Sequence, residues 1–155
     1  MFKKYFSLNL TILLLFFLDR VVKFYFIKNP AETFGGDFFS SLLTFNLATN
    51  EGIAFGINMD QAILIGLVIV TIFILFNFLS KAYQDGNLIN IFSLTLIIVG
   101  AISNLIDRLR WGFVIDYIDI PWFTVFNLAD AMITIGAVIL IVDIFFDKNK
   151  RTSLS

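Results

Sequence analysis

The sequence predicts an all-α membrane bundle of four transmembrane helices with a small extracytoplasmic β-sheet formed by the outer loops. Of its 155 residues, 59% are hydrophobic and only 15% are charged, and the mean hydropathy is +0.90. A soluble domain is usually about 45–50% apolar and about 25% charged. In addition, four apolar stretches are each long enough to cross a bilayer, which takes about 20 residues.

The four predicted spans are separated by one short loop and two long ones. They run from Tyr5 to Ile27, from Gln61 to Leu79, from Leu88 to Ile106 and from Phe126 to Phe146. The first is not interpreted as a cleaved signal peptide, because no small-residue cleavage site follows it and the run passes into charged residues. One integral-membrane domain over residues 1–155 is the simplest organisation.

The distribution of basic residues predicts how the bundle lies in the membrane. Most lie in the termini and in the short loop 80–87, at Lys3, Lys4, Lys81, Lys148, Lys150 and Arg151. Only Lys28 and Arg110 lie clearly in the long loops. The positive-inside rule then places both termini and the loop 80–87 in the cytoplasm, with loops 28–60 and 107–125 outside.

The outer loops contain two candidate strands. The segment from Ser41 to Thr49 alternates apolar and more polar residues, which is typical of a strand with one buried face. Phe113 to Ile118 is the second candidate. A small sheet on the outer membrane surface accommodates both segments.

The chemistry open to this chain is narrow. It contains no cysteine and no histidine, which excludes disulfides and thiol nucleophiles and makes a zinc or non-haem iron site improbable. There is no basic patch to bind nucleic acid. We therefore expect no metal, no cofactor and no nucleic-acid partner.

Polar residues from three predicted helices and both outer loops converge on the outer end of the bundle. They are Asp19, Arg20, Lys23, Asn50, Gly52, Asn104, Asp107, Arg108, Asp116, Asn127 and Asp130. The cytoplasmic halves of the spans carry almost none, apart from Asp143. This asymmetry predicts a polar site at the outer interface.

Asp116 and Asp130 are the strongest candidates for chemistry, because apolar residues flank each of them. An ionised carboxylate in such surroundings is costly, so it is usually paired and functional. Two carboxylates that share one proton can activate a water without metal, cysteine or histidine. The structural alternative is that both are helix caps or interfacial charges.

The supporting residues also have structural interpretations. Asp19 and Lys23 are four residues apart and pair on one helical face. For this pair a structural role and a functional role carry equal weight. Asn104 and Asn127 suit interhelical hydrogen bonds. Residues 50–52 form an ordinary turn in most proteins.

Five motifs, taken together and in order, resemble the lipoprotein signal peptidase (signal peptidase II) family of bacteria. The motifs are Asp19-Arg20-Val21-Val22-Lys23, Asn50-Glu51-Gly52-Ile53-Ala54-Phe55, Gly100-Ala101-Ile102-Ser103-Asn104-Leu105-Ile106-Asp107-Arg108, Val114-Ile115-Asp116 and Phe126-Asn127-Leu128-Ala129-Asp130. Each motif is weak alone, but the ordered set with its intervening lengths is specific. The chain departs from the family pattern at Arg20, where Gln is frequent, at Val22, where a hydroxyl residue is frequent, and at Ser103, where Gly is usual.

The resemblance implies a membrane aspartic endopeptidase that removes signal peptides from diacylglyceryl-modified prolipoproteins. It implies that Asp116 and Asp130 are the catalytic pair. It also implies supporting or substrate-binding roles for a wider set, namely Asp19, Lys23, Asn50, Gly52, Asn104, Arg108, Asn127 and Ala129. The implied partners are the prolipoprotein substrate and membrane lipid, and we expect a monomer.

Two other classes of function compete with a protease. A small proton-coupled transporter would use the two aspartates as proton relays, although transporters tend to place such charges near the membrane midplane. A structural membrane subunit would use the polar residues only to hold helices together.

Overall fold

Four long helices and two short strands make up the described part of the chain. The computed structural model describes residues 2–32, 43–52 and 60–152, with side chains described between 5 and 146 of those ranges. The elements in chain order are α1 (Phe2–Lys28), β1 (Thr44–Asn50), α2 (Gln61–Asp85), α3 (Leu88–Trp111), β2 (Val114–Asp119) and α4 (Leu128–Thr152). The predicted mostly helical bundle with a small sheet is confirmed.

Three of these helices, α2, α3 and α4, are long and apolar enough to cross a membrane. Their outward faces expose large apolar side chains such as Phe73, Phe76 and Phe145, as expected of surfaces that contact lipid. α1 is also long enough at 27 residues, but charged residues interrupt its apolar sequence. That α1 also crosses the membrane therefore stays a prediction.

The helices continue beyond the apolar stretches that predicted them. α2 runs six residues past the predicted end at Leu79 and stops at Gly86, which has φ of 65° and caps the helix in the left-handed conformation. α3 runs five residues past Ile106 to Trp111 and is capped by Gly112, which has φ of 81°. The predicted loops 80–87 and 107–125 are therefore shorter, because a helix ends at a capping residue and not where its sequence ceases to be apolar.

Two helix starts follow from side-chain caps. Asp60 accepts hydrogen bonds from the backbone N–H groups of Ala62 and Ile63, and α2 begins at Gln61 as predicted. Phe126, predicted as the first residue of the fourth span, instead bridges to β2. α4 therefore begins two residues later, at Leu128.

The two strands form one antiparallel pair, with a register shift between Phe45 and Ala48. β1 confirms the predicted strand over residues 44–49, while 41 and 42 lie outside the described residues. β2 confirms the second, one residue later than predicted. We call the end of the bundle that carries this pair the sheet end. The end of α3 and the start of α4 lie there too.

α3 is the centre of the molecule, since it packs against the three other helices and β2. Ile12 of α1, Leu96 of α3 and Met132 of α4 form one buried cluster. The approach of α3 to α4 is close because of two glycines. A Cβ at Gly100 would lie 2.6 Å from the backbone oxygen of Ala129, and one at Gly136 would lie 2.7 Å from that of Ser93.

We expect Gly100→Ala to destabilise the protein by about 1–3 kcal/mol, because the added methyl must push α4 away from α3. Gly66→Ala is the matched control, since a Cβ there has no neighbour within 4 Å. The control should be neutral or gain up to about 1 kcal/mol of helix propensity. Thermal unfolding in detergent measures both, and equal effects of the two substitutions would refute the close-packing argument.

Candidate active site

Asp130 is held at the start of α4 by a reciprocal capping interaction. The Oδ1 atom of Asn127 accepts from the N–H of Asp130 at 2.8 Å, and the carboxylate of Asp130 accepts from the N–H of Asn127 at 3.3 Å. This pairing of the residue before a helix with its third residue is a capping box. The helix start therefore fixes where the carboxylate lies.

Asp116 reaches the same place from β2. Asn127 donates from Nδ2 to the Oδ1 atom of Asp116 at 2.6 Å and to the carbonyl of Ile115 at 3.2 Å. One fully buried asparagine thus hydrogen-bonds both aspartates. The two residues that the sequence singled out are neighbours in space.

The orientation of Asn104 on α3 is set by Lys23. The Lys23 ammonium can only donate, and it lies 2.8 Å from the Oδ1 atom of Asn104. The Nδ2 atom of Asn104 must therefore point the other way, where it donates to Asp130 at 2.7 Å. A buried cation on α1 in this way determines which group faces the carboxylate of Asp130.

Lys23 lies in a largely buried charge network. Its side chain is fully buried and contacts Asp107 at 2.8 Å and Asp19 at 3.2 Å. Arg20 adds a second cation, with Nη1 2.5 Å from the carboxylate of Asp107. Two cations thus face two carboxylates, which offsets the large cost of removing each charge from water.

Asp19 joins this network to α4 and β2. Its carboxylate accepts from the hydroxyls of Ser103 and Tyr117, at 2.6 and 3.0 Å, and from the backbone N–H of Ala129 at 3.2 Å. The Tyr117 hydroxyl also accepts from the N–H of Leu128. Asp19 therefore positions the first turn of α4, in which Asp130 lies.

Asn50 and Arg108, two further predicted residues, line a cavity beside Asp130, and Gly52 bonds to both of them. The Oδ1 atom of Asn50 accepts from the N–H of Gly52 at 3.1 Å, and the carbonyl of Gly52 accepts from Arg108 at 3.3 Å. The Nε atom of Arg108 is buried and has no hydrogen-bond partner among the described residues. The cavity measures about 530 Å³, and its polar lining comprises Asn50, Asn104, Arg108, Thr124, Asp130 and Thr134.

The cavity also has a largely apolar wall. It is formed by Val114, Phe123, Val125, Phe126, Ala131, Ile133 and Ile135. Ile135 is 53% exposed and Phe123 is 65% exposed, so the cavity opens along the side of α4 and toward the loop before it. An apolar chain with a polar group at one end fits such a lining.

Burial and, to a lesser extent, the nearby charge of Asp130 raise the pKa of Asp116 to about 7. Hydrogen bonds from Asn127 and Asn50 and the charge of Lys23 act in the opposite direction. Burial is the largest of these effects. A carboxyl group on β2 that exchanges its proton near neutral pH is suited to acid–base chemistry.

The family model described as Signal peptidase (SPase) II matches residues 11–146. The chain belongs to the signal peptidase II family. The resemblance expected from the ordered motifs is therefore confirmed, and with it the assignment to membrane proteases.

Individual relatives are similar over nearly the whole chain. A lipoprotein signal peptidase of Clostridioides difficile (strain 630) is 34% identical over 148 residues, which cover 91% of this chain and 96% of that protein. A lipoprotein signal peptidase of Clostridium tetani (strain Massachusetts / E88) is 37% identical, with 81% and 83% covered. A bacterial membrane enzyme solved by the in meso method at 2.3 Å is 25% identical, with a TM-score of 0.82 over 93% of this chain and 90% of that one.

The site of this signal peptidase II family member also contains residues outside the predicted catalytic and supporting set. Tyr117, Ser103 and Asp107 each bond directly to Asp19 or Lys23. Only the position of Tyr117, next to Asp116 on a strand, could have drawn attention to it. Arg20 and Ser103, two departures from the family pattern, contact each other, since Arg20 donates to both the carbonyl and the hydroxyl of Ser103.

We expect Lys23→Met to lower the free energy of unfolding by about 3–5 kcal/mol, because it leaves Asp19 and Asp107 buried with one cation fewer. Lys81→Met is the matched control, since Lys81 is exposed at the other end of the bundle. Thermal unfolding in detergent compares the two. An unfolding temperature of Lys23→Met equal to that of the control would contradict the proposed importance of this buried cation.

Proposed function

We propose that this protein is an aspartic endopeptidase that removes signal peptides from diacylglyceryl-modified prolipoproteins, using a water activated by Asp116 and Asp130. The observation that carries the proposal is that one buried residue, Asn127, donates to both carboxylates, from its side-chain amide to Asp116 and from its backbone N–H to Asp130. Membership of the signal peptidase II family supplies the substrate class.

The proposed reaction needs one proton shared by the two carboxyl groups. Neighbouring carboxylates do not both ionise at low cost, so one member retains a proton near neutral pH. We assign this proton mainly to Asp116, in keeping with its pKa of about 7. The ionised partner then accepts a proton from water as the water attacks the scissile carbonyl.

The protonated member has two later tasks. It donates a hydrogen bond to the carbonyl oxygen as negative charge develops there, and a proton from the pair then passes to the leaving amine. Asn104 and Asn127 hold the carboxylates by the hydrogen bonds described above, so little rearrangement is needed during the reaction. No metal or cofactor enters these steps.

The cavity beside Asp130 suits the proposed substrate. Its polar end contains Asp130 and Arg108, and the guanidinium of Arg108 would donate to a carbonyl of the bound peptide. Its apolar wall, open along α4, would receive the lipid-modified residue next to the scissile bond. Asn50 and Gly52 hold the rim through their hydrogen bonds with each other and with Arg108.

We further propose that the sheet end faces the outside of the cytoplasmic membrane, with both termini in the cytoplasm. Lys81 and the terminal basic residues support this orientation, although Lys81 lies in α2 and Arg110 in the last turn of α3 instead of in loops. The end of the helix bundle that the sequence predicts to face outward is then the sheet end. We propose that a single copy is sufficient, since all ten predicted site residues come from one chain.

A proton-coupled transporter is less well supported. Asp116 lies on a strand outside the helices, and Asp130 lies in the first turn of α4. Carriers tend to place such groups at the bilayer midplane, in broken helices. Substrate flux in liposomes without proteolysis would favour the carrier.

Asp116→Asn and Asp130→Asn should each lower cleavage of a lipidated prolipoprotein by at least about 10²–10⁴-fold, because each removes one of the two proton-transfer groups. Asp85→Asn is the matched control, since Asp85 is exposed at the end of α2 away from the sheet. The measurement is kcat/KM in nanodiscs. Near-wild-type cleavage by either folded aspartate variant would exclude the two-carboxylate mechanism.

Activity should fall by about tenfold per pH unit once the pH exceeds about 7, because Asp116 then loses the proton that the mechanism requires. A loss of stability caused by deprotonation of Asp116 does not explain this fall in activity. The pKa of Asp116 is raised in the folded protein, so its contribution to the free energy of unfolding falls as the pH rises from about 4 to 7. Above pH 7 this contribution no longer changes. Unfolding temperatures measured beside kcat/KM from pH 5 to 9 separate the two effects, and a flat activity profile would contradict the shared proton.

A further inference from the structure

A second cavity lies on the opposite side of β2 from the candidate active site. It measures about 170 Å³ and is lined by Arg20, Phe24, Ile27, Arg110, Trp111 and Ile115. Val114 lines the larger cavity and Ile115 the smaller one, as expected because successive strand residues point to opposite faces. The two cavities share no lining residue, and we call the smaller one the arginine pocket.

The arginine pocket lies between α1 and α3 at the sheet end. Arg20, Phe24 and Ile27 recur on one face of α1, and Arg110 and Trp111 are the last two residues of α3. Tryptophan and arginine at the end of a membrane-spanning helix are typical of the level where hydrocarbon meets lipid headgroups. The pocket therefore lies where a headgroup can enter it from the side.

Both arginines retain donors for a ligand. Among the described residues, every hydrogen bond that Arg20 donates leaves from Nη1, whereas a guanidinium has five N–H groups. Arg110 is exposed, stacks over the Trp111 ring at 5.0 Å, and forms no ion pair with a described carboxylate. Both arginines thus line one small cavity and retain unused donors.

The local charge favours an anion. Arg20 is paired with Asp107, whereas Arg110 has no carboxylate partner among the described residues. The positive charge of Arg110 is therefore uncompensated at the pocket. Arginine is the side chain best suited to phosphate, because its planar donors contact two oxygens at once.

We propose that the arginine pocket binds the phosphate of an anionic phospholipid from the adjacent leaflet. Arg20 and Arg110 donate to the phosphate oxygens, and Trp111 packs beside the glycerol region. The acyl chains run along Phe24 and Val21, which are 55% and 64% exposed on α1. This site is separate from the proposed peptidase reaction and does not depend on it.

Native mass spectrometry of the detergent-solubilised full chain tests the proposal with two lipids that have the same acyl chains. Dioleoylphosphatidylglycerol carries the phosphate, and dioleoylglycerol does not. The wild type should bind the phospholipid about tenfold or more tightly, because charge-assisted hydrogen bonds are lost without the phosphate. Arg110→Gln should reduce this preference by a similar factor, and Arg110→Lys should restore part of it.

Controls and contrary results are well defined. Arg110 is exposed, so its variants keep the fold, and Lys81→Gln removes one positive charge at the opposite end without affecting binding. Equal binding of the two lipids, or unchanged binding by Arg110→Gln, would overturn the proposal. Displacement of the phospholipid by millimolar inorganic phosphate would show a free-anion site and would overturn the assignment to lipid.

Discussion

The buried ammonium of Lys23 is the interaction on which the rest of the structure depends. It contacts Asp19, Asp107 and Asn104 at distances between 2.8 and 3.2 Å, and its side chain is fully buried. An uncompensated charge there would be prohibitive, so α1 and α3 must meet in one register. That register orients Asn104, which in turn presents its amide to Asp130.

The same groups serve both folding and the proposed chemistry. Asp130 caps α4 by accepting a hydrogen bond from the backbone N–H of Asn127. The side chain of Asn127 in turn accepts from the N–H of Asp130 and donates to the carboxylate of Asp116. Burial of Asp116 carries a cost, visible in its raised pKa. Tight packing of α3 against α4 at Gly100 and the buried charge network hold the pair in place despite this cost.

The sequence predicted best those features that depend on a single segment of the chain. Apolar length predicted α2, α3 and α4, and alternation predicted β1, because these patterns express how a segment meets its surroundings. Helix ends were predicted less well, since Gly86, Gly112 and Asn127 set them by backbone conformation and capping. The aspartate pair was found because isolated carboxylates in apolar sequence are rare.

The sequence by itself determined the membrane class of the chain, its helices and strands, its family and the two candidate aspartates. Only the tertiary structure decided which groups meet. Arg20 and Ser103, separated by 83 positions, are in contact, Tyr117 bonds Asp19 across 98, and one asparagine joins both aspartates. Hydropathy and periodicity report the preference of each segment for lipid or water. The pairing of donors with acceptors instead depends on how the helices pack, because each buried polar group must find its partner on another element.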